Sequence, residues 1–469
     1  MHINRRKFLG YVATPILGTL LSGNSKQCAS SEMGATLIIE QAKSSTLVNR
    51  QVMGVCLVNP PFNGLYNVAN SVFSGTSVRL WASTLNHDWS TIRPILKQIN
   101  PQTILVFTGN TKLDVKAIYH TDLINNLPKK HQTIEVVKRL KNVIELLDSA
   151  GLMPVDGVNW EVWNEPQYKR KGSWDPSDLA RYATDCAKAI KQTNMNVRVG
   201  VPLNMDPSQT KWNEDLCSLL STDLIDFFVT HYYSLGWNEL INPSNDFMRR
   251  ASGSEVLRKQ VRNDVELIKR FGMGRWKLHC TEWNVHPLNY SAPYYSSTDM
   301  AAALYAFNAI KIYLEEGLDS AQIFQLASQA SNHFSLYQKD LNSNWREMPT
   351  GSVMRLLTKY IHGKLVSNRV EGRTFQRDSQ YGDTSTRESF VNAIVSEDEE
   401  GLSVVVANAH PNVSIRIKFR GVAPGIAYAF QLAGVPPKYE LSKITKIKFD
   451  LMDGLDIAPA SVTAFRCYR

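Results

Sequence analysis

Trp160-Glu161-Val162-Trp163-Asn164-Glu165-Pro166 and Thr281-Glu282-Trp283-Asn284 decide how this chain is read. Each sets a glutamate where a hydrophobic, strand-like run gives way to a loop, with a tryptophan close by. Glu165 and Glu282 lie 117 residues apart, enough chain for three strand–helix units. Two carboxylates on the strand ends of one barrel are the equipment that breaks a glycosidic bond.

Outward from these segments, short apolar runs alternate with amphipathic stretches. Val52 to Val58, Ser77 to Trp81, Thr103 to Phe107, Asn159 to Asn164, Val197 to Leu203, Leu224 to Tyr232, Trp276 to Glu282 and Ser320 to Leu326 read as eight strands. Continuous apolar runs of this length suit strands covered on both faces. Between them, Thr133 to Ser149 puts Ile134, Val137, Leu140, Ile144 and Leu147 on one stripe, and Gly151 ends the helix. Asp175-Pro176 is an N-cap with proline in the first turn, opening a helix through Ile190. Ser254 to Phe271 and Thr298 to Glu316 are two more, closed by Gly272 and Gly317. The pattern predicts an α/β chain, a (β/α)8 TIM barrel over 46–363. A doubly wound open sheet is the alternative, but no glycine-rich phosphate loop follows the first strand.

After His362-Gly363 the helical stripes stop. Phe390 to Val395, Leu402 to Asn408, Val413 to Phe419 and Ser461 to Tyr468 alternate with period two, between turns such as Glu399-Glu400-Gly401 and His410-Pro411-Asn412. This predicts a C-terminal antiparallel β-sandwich domain over 364–469. Ala35 to Glu40, within 32–45, alternates in the same way and could add a strand to it.

The first 31 residues read as an export signal. Asn4-Arg5-Arg6-Lys7-Phe8-Leu9-Gly10 resembles the twin-arginine signal, and a short apolar run from Tyr11 to Leu21 is broken by Pro15. That run is too short to span a bilayer, so no stable membrane insertion is expected once the signal is removed. An ordinary Sec-type signal is the other reading, and it predicts export too. Cleavage is expected near Cys28 to Ser31. Ser25-Lys26-Gln27 does not resemble a lipobox, so Cys28 is not expected to be lipidated. The expected location is periplasmic or extracellular.

Formal charge is +9; without the four cations Arg5, Arg6, Lys7 and Lys26 it is +5. No basic run interleaved with aromatics remains, so no nucleic-acid partner is expected. The 10 Trp and 18 Tyr are more than enough to stack on sugar rings, though most should lie in the core. The six cysteines are widely and irregularly spaced, with no CxxC pair and no metal-ligand pattern. No metal, no cofactor and few or no disulfides are expected. Cys56 and Cys280, inside apolar runs, read as small buried hydrophobes.

Trp163-Asn164-Glu165-Pro166 on the fourth strand and Thr281-Glu282-Trp283 on the seventh resemble the clan A glycoside hydrolases. His231-Tyr232-Tyr233 at the end of the sixth resembles the His-x-Tyr of glycoside hydrolase family 39. Val78-Arg79-Leu80 is similar to the second-strand arginine of the clan. The C-terminal sandwich is also a feature of family 39 and of the arabinofuranosidase-type families. The resemblance runs from about Val52 to the end. It implies a retaining hydrolase, with a carbohydrate as its partner. Glu165 is then the acid/base and Glu282 the nucleophile. Asn164 holds the hydroxyl next to the anomeric carbon, and Tyr233 hydrogen-bonds the nucleophile. His231 shapes the sugar pocket, and Arg79 lies beneath the nucleophile and keeps it ionised.

The chemistry agrees with those roles. An acid/base must keep its proton near neutral pH, so Glu165 needs apolar walls, for which Trp163 and Pro166 are candidates. Glu161 lies inside its strand and is expected to pair with a barrel cation. Relatives often carry an aromatic under the sugar at the end of the eighth strand; Ile323-Phe324-Gln325-Leu326 has no Trp. Trp81, Trp237, Trp283, Tyr290, Tyr294 and Tyr295 are the candidate sugar platforms. The unusual eighth strand leaves open a catalytically inactive carbohydrate-binding protein derived from a glycosidase. An esterase on the same barrel ranks last, since there is no Gly-x-Ser-x-Gly elbow and no HExxH helix.

Overall fold

The computed structural model describes residues 33–40, 46–57, 65, 72–108, 129–166, 174–193, 195–206, 209–233, 251, 254–285, 300–328, 335–339, 344–377, 386–434 and 443–468. After an N-terminal strand, β1 (Met33–Ile39), eight strands form a closed barrel in chain order. They are β2 (Gly54–Leu57), β3 (Ser77–Trp81), β4 (Thr103–Phe107), β5 (Val158–Glu161), β6 (Val197–Pro202), β7 (Phe227–Tyr233), β8 (Lys277–Asn284) and β9 (Ser320–Ile323). All neighbours run parallel, and β9 pairs with β2 through Val55 and Ile323 to close the ring. The helices between them are α1 (Ala82–Ile99), α2 (Lys129–Ser149), α3 (Pro176–Lys191), α4 (Thr210–Leu219), α5 (Ser254–Gly272) and α6 (Met300–Glu316). A last helix, α7 (Pro349–Tyr360), follows the barrel.

The local chemistry explains these elements. Asp175 caps α3, its carboxylate accepting from the Asp178 N–H at 2.8 Å, with Pro176 in the first turn. Alternation along β3 sends Val78 and Leu80 outward into the core, while Ser77 and Arg79 point into the barrel. The barrel interior is filled. Its lower layer is polar: Gln322 donates to Ser77 Oγ at 2.6 Å and Ser320 Oγ at 2.9 Å, and His279 Nδ1 lies 2.7 Å from the same Ser320 oxygen. Beside it sits an apolar cluster of Leu105, Phe227 and Val229. Gly200 on β6 leaves room for Phe227, whose ring would stand 1.9 Å from any Cβ there.

Past the barrel, β10 (Ala327–Ser328), β11 (Tyr337–Lys339) and β12 (Trp345–Glu347) make a small sheet. The sandwich then uses β13 (Lys364–Leu365), β14 (Asn368–Glu371), β15 (Thr374–Arg377), β16 (Thr386–Ser389), β17 (Val391–Asp398), β18 (Gly401–Asn408), β19 (Ile415–Arg420), β20 (Ile426–Ala433), β21 (Lys443–Asp450), β22 (Leu455–Ile457) and β23 (Ser461–Tyr468). One sheet runs β13-β17-β18-β23-β20-β21, and the facing one β14-β1-β19-β22. β1 lies between β14, antiparallel, and β19, parallel, an exception to the antiparallel rule of this domain. Between the sheets pack Leu37, Val395, Val404, Ile417 and Phe465. The other face of the larger sheet shares the barrel's core through Ile394, Val405, Leu432 and Val462. Asn392 also donates to Asn308 on α6 at 3.1 Å.

Candidate active site

Four barrel strands bring the site together at their C-terminal ends. The guanidinium of Arg79, wholly buried, is its hub. Its Nε donates to Glu161 Oε2 at 2.9 Å, one terminal nitrogen donates to Asn164 Oδ1 at 3.0 Å, and the other donates to Glu282 Oε1. Burial acts to lower the pKa of Arg79, but the charges of Glu161 and Glu282 outweigh it and hold the pKa above its ordinary value. Arg79 therefore stays charged. Burial pushes the Glu161 carboxyl up, and Arg79 opposes it.

Glu282 also accepts the Tyr233 hydroxyl at its other oxygen, Oε2, at 2.9 Å. Burial and the neighbouring carboxylates Glu282 and Glu165 push the Tyr233 phenol well up, so it remains a donor. The backbone explains how Glu282 reaches this position. In β8, Leu278 and Cys280 point out into the core while His279 points in, so strict alternation would aim residue 282 outward. A β-bulge intervenes: Thr230 pairs with Cys280, but His231 pairs with Glu282, leaving Thr281 as the extra residue. Thr281 and Glu282 then both serve the interior, Thr281 Oγ1 lying 3.1 Å from His231 Nε2.

Glu165 follows β5 by four residues and has φ +53°, in the left-handed region where side chains other than glycine are uncommon. Asn164 donates to its Oε2 at 3.3 Å, and His231 Nδ1 stands 3.4 Å from its Oε1. The same His231 nitrogen is 3.7 Å from Glu282 Oε2. One oxygen of Glu165, one of Glu282 and a nitrogen of His231 all lie within 4.8 Å of one another. A cation could bridge three such atoms, but Arg79 already supplies positive charge to Glu282, and we assign them no metal role. Cys56 lies beneath, its thiol donating to the Thr281 carbonyl at 3.2 Å; burial pushes its pKa well up and keeps it unreactive.

Arg79, Asn164, Glu165, His231, Tyr233 and Glu282 are thus gathered within one hydrogen-bonded group, and Glu161 pairs with the barrel cation Arg79. The aromatic platforms fare differently. Trp283 is fully buried, edge-on to Tyr313 of α6, because the residue after the bulge points outward; it cannot stack on a sugar. Trp163 is also buried, edge-on to Trp174 and to Tyr182 of α3. Trp81 is partly exposed at the end of β3, edge-on to Phe107, and remains available. Trp237, Tyr290, Tyr294 and Tyr295 lie outside the described residues. At the eighth strand, the Phe324–Gln325 peptide is cis and Gln325 is fully buried. The five described cysteines are free thiols. No described helix is long and apolar enough to cross a membrane.

The model of the glycosyl hydrolases family 39 matches residues 98–368, which take in Glu161, Asn164, Glu165, His231, Tyr233, Thr281 and Glu282 and leave out Arg79, Cys56 and Trp81. No curated protein sequence matches the chain. Solved structures with the same fold include an α-L-arabinofuranosidase from Thermotoga maritima in complex with arabinose, 14% identical, with a TM-score of 0.67 over 93% of this chain and 100% of that one. A glycoside hydrolase family 44 xyloglucanase from Paenibacillus polymyxa is 11% identical, TM-score 0.60, over 93% and 100%. A monomeric β-xylosidase from Caulobacter crescentus is 15% identical, TM-score 0.58, over 92% and 98%.

Proposed function

The chain belongs to glycosyl hydrolase family 39 and is a glycosidase; from that premise we propose an exported, retaining enzyme that cleaves a poly- or oligosaccharide by double displacement. Glu282 attacks the anomeric carbon while Glu165 gives its proton to the departing glycosidic oxygen, so that a glycosyl ester forms as the C–O bond breaks. Glu165 then takes a proton from water, whose oxygen displaces Glu282 and restores both residues. Tyr233 and Arg79 hold the attacking carboxylate in place, and Asn164 meets the neighbouring sugar hydroxyl.

One observation carries this reading. Oxygens of Glu165 and Glu282 approach within 4.8 Å, in keeping with the roughly 5–5.5 Å of retaining enzymes and far short of the roughly 6.5–9.5 Å that leaves space for an inverting water. Aryl arabinofuranosides and xylosides are the first substrates to try, given the activities named for the similar structures. The anomer released first, followed by NMR, should match the substrate. Glu165→Ala should lose activity on poor leaving groups and regain it with azide on activated glycosides; Glu282→Gln should be inactive. Full activity in both variants overturns the assignment. Binding across a broad glycan panel without turnover would instead favour the inactive carbohydrate-binding protein. Export is supported by Asn4 to Gly10; replacing Arg5 and Arg6 with lysine should hold the protein in the cytoplasm.

A further inference from the structure

We propose that Glu161 is a positioning residue for this hydrolysis: it clamps Arg79 toward Glu282 and Asn164, and it sets the pH range in which the reacting pair works. This rests on the reading of Glu165 and Glu282 as that pair.

Glu161 is completely buried at the end of β5, four residues before Glu165. Its Oε2 takes two Arg79 nitrogens, Nε at 2.9 Å and a terminal nitrogen at 2.8 Å. That fork leaves the guanidinium one orientation, in which its remaining N–H groups meet Glu282 and Asn164. A single arginine charge is thereby divided between two carboxylates, and Glu282 is neutralised only in part. The other oxygen of Glu161, Oε1, takes no hydrogen bond and lies 3.9 Å from His231 Nε2. His231 thereby links Glu161 to the reacting pair, its Nδ1 standing 3.4 Å from Glu165 Oε1 and 3.7 Å from Glu282 Oε2.

The charged and titratable groups around Glu161 are Arg79 from β3, Cys56 from β2, His231 from β7 and Glu282 from β8. Glu161 and Glu282 share the one guanidinium of Arg79. Removing the charge of Glu161 leaves Arg79 wholly to Glu282, which then ionises more easily. It also removes a negative charge that helps Glu165 keep its proton. Both changes act in the same direction.

The test is the pH dependence of kcat/KM on an activated aryl glycoside for Glu161→Gln and Glu161→Asp, alongside Glu165→Ala with and without azide. Glu161→Gln keeps the shape and one acceptor oxygen but no charge. Both limbs of its profile should move down by about one pH unit, with a fall of at least about tenfold at the wild-type optimum. Glu161→Asp keeps the charge, and its limbs should stay near the wild-type positions even where kcat falls. A uniform loss in Glu161→Gln with unmoved limbs, or equal limb shifts in both variants, overturns the proposal. If instead Glu165→Ala stays fully active, the underlying pair is wrong, whatever Glu161→Gln does.

Discussion

Arg79 and Glu282 meet as a buried ion pair although β3 and β8 stand three strands apart around the closed ring. The arginine is wholly enclosed and the carboxylate 6% exposed. Such a pair costs much desolvation, and the group holding it must be complete to recover that cost.

Arg79→Met should therefore strand Glu161 and Glu282 as unpaired buried carboxylates and lower unfolding stability by about 3–5 kcal/mol. Arg79→Lys keeps a charge but loses the fork, and kcat/KM should fall about 100-fold or more with a smaller loss of stability. Denaturant unfolding beside steady-state kinetics checks both. Wild-type stability in Arg79→Met would show that the buried pair is not needed by the fold.

Tyr233→Phe removes the hydroxyl 2.9 Å from Glu282 Oε2 and little else. A hydrogen bond to a charged group is worth enough that kcat should drop about 10- to 100-fold with KM nearly unchanged. Glu282 loses a donor that favours its ionised form, so the acidic limb should move to higher pH. An unmoved limb would deny the tyrosine that role.

Gly200→Ala tests the floor of the barrel, far from the chemistry. Its new methyl would collide with the Phe227 ring, which is locked among Leu105, Val229 and His279. A loss of about 3 kcal/mol is expected, with kcat kept in whatever remains folded. A melting temperature equal to wild type would mean that the ring can move aside.

His279 gives the fold an acid weakness. Burial, helped by Lys277 and Arg198, pushes its pKa down to about 3. The unfolded chain takes up this proton below its ordinary value of about 6.5, and the native state does not until about pH 3. Stability from this group is whole above that upper value and is lost as pH falls between the two, by up to about 1.4 kcal/mol per unit. Unfolding curves of wild type and His279→Gln from pH 7 to 4 should converge as acid is added. Parallel curves would remove His279 from the account.

The barrel could be read from the sequence because its strands are continuous apolar runs and four helices carry plain stripes and caps. Other helices hid. α1 starts directly after Trp81, which offers no capping side chain, and holds Pro94 within it. In β20 and β21 the alternation is faint, since Ala427 and Ala429 serve as inner residues and lysines fill much of Lys443 to Asp450. At the site, strand-end motifs point to Glu165 and Glu282, yet regular alternation misplaces Trp283. The bulge at Thr281 carries no local signature, because it is a mismatch with β7 and belongs to a pair of strands. Glu161 and Thr281 owe their places to partners on other strands for the same reason.

β1 is translated long before its two neighbours, β14 and β19. In the interval an apolar ribbon waits without a sheet to join. The smaller sheet can be sealed only once β19 has been made, so its closure joins segments distant along the polypeptide. A shortened chain lacking β19 would leave that ribbon bare, a ready seed for clumping.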